Sequence, residues 1–99
     1  MMPKYVIERE IPNLNSWTNE QLGAASRTSC DVLGELGSEI EWLHSYVTGN
    51  KLYCIYNASN EEIIREHARR GNFPVNSISE VKTMISPETA KAHGAGSNS

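Results

Sequence analysis

The sequence predicts an α+β domain in the order β-α-β-β-α-β, and three observations carry that prediction. Gly49-Asn50 parts two runs rich in aromatic and β-branched residues, WLHSYVT and KLYCIY, which marks a two-residue hairpin loop needing φ > 0. Two stretches with apolar residues at helical spacing flank that hairpin, each opened by a capping box and followed by glycine. At either end lies a short run that reads as a strand.

Lys4 to Glu10 (KYVIERE) is the first strand, closed by Ile11-Pro12. The first helix opens with Thr18 as N-cap and Gln21 at the third helical position, with Trp17 placed to staple onto Leu22. Leu22, Ala25, Ser29, Val32, Leu33 and Leu36 form its buried stripe, and Gly37 ends it. The hairpin follows, with Val47 expected opposite Leu52, Tyr46 opposite Tyr53 and His44 opposite Ile55. Ser59 with Glu62 predicts the cap of a second helix, which Arg69-Arg70 suit at the negative end of its dipole and Gly71 terminates. Ile78 to Ile85 is the last expected strand. The ordered domain is placed at 3–86, and the small, polar residues 87–99 read as a disordered tail.

This order is the split βαβ arrangement of ferredoxin-like domains: a four-stranded antiparallel sheet, strand order 4-1-3-2, with both helices on one face. Strict alternation assigns Ile40, Trp42, His44, Tyr46, Tyr53 and Ile55 to the face without helices. A face so apolar calls for a cover, and a homodimer closing into a dimeric α+β barrel is the simplest one.

Composition narrows the partners. A net charge of −3 without a basic stripe argues against nucleic acid, and no apolar run approaches a membrane span. MMPKYVIERE lacks the apolar core of a signal peptide, and Cys30 and Cys54 form no CxxC, so reduced thiols in a cytoplasmic protein are expected.

The segments PKYVIERE, WLHSYVTGNKLYCIY and NEEIIREHARRGNFP leading into ISEV resemble a family of short bacterial proteins catalogued as a domain of unknown function, some described as nickel-binding. The resemblance spans about Pro3 to Ile85 and implies a ferredoxin-like subunit in a dimer. The nickel-binding members are richer in histidine, whereas this chain has Glu8-Arg9-Glu10 in the first strand, no histidine in the first helix and only His67 in the second. Nickel usually wants more imidazole than that.

The expected function is therefore binding of a small ligand, or of a divalent metal such as nickel, by a homodimer. The alternative is a cofactor-independent isomerase or oxygenase working in an inter-sheet cavity, by analogy of fold alone. In that reading His44 is the base, with a carboxylate such as Glu8 or Glu10 to orient it, and Tyr46 and Tyr53 are the donors. For a metal, the candidate ligands are His44, His67 and Glu66. Plain packing explains each of these residues too: cross-strand aromatic contacts, a core histidine, and a Glu66–Arg70 surface pair. Cys54 is read as a small buried hydrophobe.

Overall fold

A computed structural model describes residues 2–94. The strands are β1 (Lys4–Glu10), β2 (Ile40–Thr48), β3 (Lys51–Ala58) and β4 (Ser77–Glu80), and the two main helices are α1 (Asn19–Leu36) and α2 (Glu61–Gly71). They form one antiparallel sheet in the order β2-β3-β1-β4, the expected topology read from the opposite edge. Both helices cover the same face. Tyr5 and Ile7 of β1, Ile40 of β2, Cys54, Tyr56 and Ala58 of β3, and Ile64 of α2 make the core, with Leu33 and Leu36 of α1 packed against it.

Local chemistry explains the boundaries. Thr18 accepts from the Gln21 amide while the Gln21 side chain accepts from Thr18, so the capping box of α1 is complete. Gly37 at its end has φ 79°, open to glycine but strained for other residues. The start of α2 departs from expectation by one residue: Asn60, not Ser59, is the cap, accepting from the Ile63 amide at 3.0 Å. Asn at this position is at least as good a cap as Ser, and it leaves Glu61 and Glu62 in the first turn. The helix likewise runs through Gly71, and Asn72 ends it in the left-handed conformation.

The last strand is shorter than Ile78 to Ile85. Its partner limits it: the ladder to β1 closes with the Val81 amide donating to the carbonyl of Lys4, the first residue of β1. Within the tail expected at 87–99, Pro87–Thr89 and Ala90–Gly94 are helical turns, with no buried residue in the first, and 95–99 lie outside the described residues.

A bulge changes the expected division of faces. Trp42 pairs with Tyr56 and His44 with Ile55, so Leu43 is an extra residue in β2. His44, Tyr46, Tyr53 and Ile55 keep their shared face, but Ile40 and Trp42 move to the helix-covered side with Ala58 and Tyr56. Ile40 is accordingly 4% exposed. Simple alternation fails here because it assumes one residue per pleat.

Candidate functional site

Beneath α1 the packing leaves a cleft of about 200 Å³. Leu22, Ala25, Ser26 and Ser29 line it from α1, while Arg9, Trp42, Ser45, Val47, Leu52, Cys54 and Tyr56 line it from the sheet. Ile11, Trp17 and Phe73 complete the wall from the connecting segments. The cleft exists because of two local features. The bulge at Leu43 turns Trp42 toward the helices, and the Thr18 cap starts α1 just after Trp17. The Trp42 indole donates to Ser45 Oγ at 2.9 Å, so the ring is fixed and its polar edge satisfied.

One side of this cleft is cationic. Arg9 shares strand parity with Tyr5 and Ile7, so it points with them into the helix-covered layer and is only 2% exposed. Its Nη1 donates to the Pro74 carbonyl at 2.8 Å, and the guanidinium lies 5.4 Å from the centre of the Phe73 ring. Nη2 is buried with no hydrogen-bond partner among the described residues. The ion pairs of the described residues all lie elsewhere, on Lys51, Arg65, Arg69, Arg70, Lys82 and Lys91. Burial pushes the Tyr56 phenol above its ordinary value, while Arg9 works in the opposite direction.

His67 stands behind this wall. It is fully buried, stacks on Phe73 with ring centres 5.5 Å apart, and tilts against Tyr56 at 5.4 Å. Nε2 lies 3.0 Å from Ser29 Oγ, and Nδ1 is without a partner among the described residues. Burial, and next the positive charge of Arg9, lower its pKa to about 4, so the ring is neutral at physiological pH.

The residues singled out from sequence are dispersed. His44, Tyr46 and Tyr53 lie on the open face, where His44 meets Tyr46 edge-on at 5.1 Å and Tyr46 is 58% exposed. Tyr46 does sit opposite Tyr53. His44 has Ile55 as its cross-strand neighbour, whereas Glu8 is opposite Tyr53 and its carboxylate pairs with Lys51 at 3.1 Å. The bulge instead puts Glu41 on the His44 side of β2, where its carboxylate accepts from Asn57. Glu66 is on the outer surface of α2, its pKa held down at about 2 by hydrogen bonds from Arg69 and Arg70. His44, His67 and Glu66 therefore do not meet within one chain. Among the described residues no three His, Cys, Asp or Glu side chains are grouped to hold a metal such as nickel. Cys54 is a buried free thiol on the cleft wall, and Cys30 is exposed and free.

Sequence reasoning missed Arg9 as a site residue. The signal was available: a charged residue in phase with Tyr5 and Ile7 on a strand whose other parity carries Lys4, Val6, Glu8 and Glu10.

No curated protein matches the chain. Among solved structures it is similar to SCO4226 from Streptomyces coelicolor A3(2), with a TM-score of 0.70 at 15% identity, over 83% of this chain and 99% of that one. At that identity the likeness speaks for the fold. A family model described as "Nickel responsive protein SCO4226-like" matches residues 5–81, nearly the whole sheet and both main helices. The chain belongs to the SCO4226-like family.

Proposed function

We propose that this chain is a small-ligand binding protein that works as a homodimer, with its ligand in the cleft beneath α1 rather than on the open face of the sheet. The observation that carries this reading is the cleft itself. It is largely apolar, about 200 Å³, and has the polar groups of Arg9, Ser29 and Tyr56 along its wall. Apolar enclosure with a few placed polar groups is the usual make-up of a small-molecule site. His44, Tyr46 and Tyr53 lie on the open face, away from this cleft, and suit a subunit contact better than catalysis.

The test uses the chain's two tryptophans, both of which line the cleft. Titration with the neutral one-ring probe phenylacetamide should shift both indole N–H resonances saturably. Ala25→Phe, which fills the cleft from α1, should abolish those shifts. Indole resonances that stay put in the native protein with one-ring probes, neutral and charged alike, would refute the cleft as a site.

The family description supports a second reading, a response to nickel. In that reading the metal draws donors from two copies. His44 is exposed on the open face beside Glu41, whereas His67 is buried and Glu66 is held by arginines.

A further inference from the structure

Arg9 presents a physical problem that the chain alone leaves open. An arginine keeps its charge at any pH a protein survives, and burying that charge without a counter-ion is costly. Arg9 is 2% exposed, forms no ion pair with the described residues, and keeps Nη2 without an acceptor. The Phe73 ring and the Pro74 carbonyl offset part of that cost, but neither supplies a negative charge.

Among the described residues, the cleft bordered by Arg9 is lined by no carboxylate and no second basic side chain. Its field therefore favours anions and opposes cations, divalent metals included. Tyr56 and Ser29 add hydroxyl groups on the same wall, and the neutral His67 ring behind them adds no competing charge. Size sets a further limit. An apolar cavity of about 150 Å³ holds one benzene ring, and this cleft is about 200 Å³.

Resting on the cleft as the ligand site, we propose that it takes a small monocarboxylate with a one-ring or similarly short apolar body. The carboxylate accepts from Arg9, and the apolar part lies against Trp17 and Trp42. With Nη1 already donating to the Pro74 carbonyl, the contact falls to Nη2, as a single charge-assisted hydrogen bond.

The experiment compares phenylacetate with phenylacetamide, which have the same shape and differ in charge, by calorimetry and tryptophan fluorescence. Phenylacetate should bind the native protein roughly tenfold to a hundredfold more tightly than the amide, the range of a charge-assisted hydrogen bond. Arg9→Met should erase that preference while still binding the amide, and its thermal midpoint should not fall, because the variant removes an uncompensated charge. Should Arg9→Met fail to fold, Ala25→Phe serves in its place: it leaves Arg9 intact and should lose both ligands. Equal affinity for acid and amide would overturn the anion inference and leave the cleft standing. Binding of neither would overturn both. Phenylacetate binding that survives Ala25→Phe would place the anion outside the cleft and sink the proposal.

Discussion

At the scale of the residue, His67 makes a pH prediction whose sign is fixed by its surroundings. Its folded-state pKa is about 4, against 6.5 for an ordinary histidine, first because of burial and then because of Arg9. Above about pH 6.5 the ring is neutral in both folded and unfolded chains, and its contribution to stability is fully present. Between 6.5 and 4 the unfolded chain takes a proton that the folded chain refuses, so stability falls as pH falls. Below that the loss levels off, at a total of about 3 kcal/mol. Urea midpoints across this range should fall steeply for the native protein and much less for His67→Phe. In that variant Ser29 can bond back to its own helix, as Ser26 does to the Leu22 carbonyl. Parallel curves would mean that His67 is more solvated than the packing implies. The sequence put His67 on an apolar helical stripe with Ile63, Ile64 and Ala68, and a core histidine was legible from that. The stacking on Phe73 and the charge of Arg9 were not, because they join residues far apart in the chain.

At the scale of the element, the junction of α2 with the segment that follows positions part of the cleft. Phe73 reaches back over Gly71, where a Cβ would come within 2.2 Å of the ring. Glycine is present for space rather than for backbone freedom, since Asn72 takes the left-handed conformation. Gly71→Ala should gain about 1 kcal/mol of helix propensity and lose about 1–3 kcal/mol by displacing Phe73. The expected net is destabilisation in a urea melt, together with weaker ligand binding, since Phe73 lines the cleft. A stabilised variant would show that the ring moves aside without cost. Glycine after an arginine pair reads from sequence as a helix stop, and only the ring above it reveals the other cause. The bulge in β2 was hidden in the same way. Nothing in IEWLHSYV marks Leu43 as supernumerary, because apolar residues occupy both parities of that run.

At the scale of the whole molecule, the topology was the most legible level, since helical and strand periods, caps and the Gly49-Asn50 turn all agree. The site was legible only in fragments. Alternation sent attention to the open face, whereas the bulge and the parity of Arg9 build the cleft on the other one. The open face still bears Val6, Ile55 and Tyr53, half-buried in the single chain, and we expect it to be the dimer contact. Sedimentation should give a dimer for the native protein and a folded monomer for Ile55→Lys. A native monomer would remove the dimer from this account. Adding nickel to both proteins tests the family's second reading: uptake confined to the dimer and lost in His44→Ala would place the metal between subunits.

The measurement that bears most directly on the central claim is an amide and indole chemical-shift map of the full chain titrated with phenylacetate. The account predicts saturable shifts at Ser26, Ser29, Arg9 and the two indoles, with His44, Tyr46 and Tyr53 unmoved. Shifts centred on His44, Tyr46 and Tyr53 would contradict it and return the site to the open face.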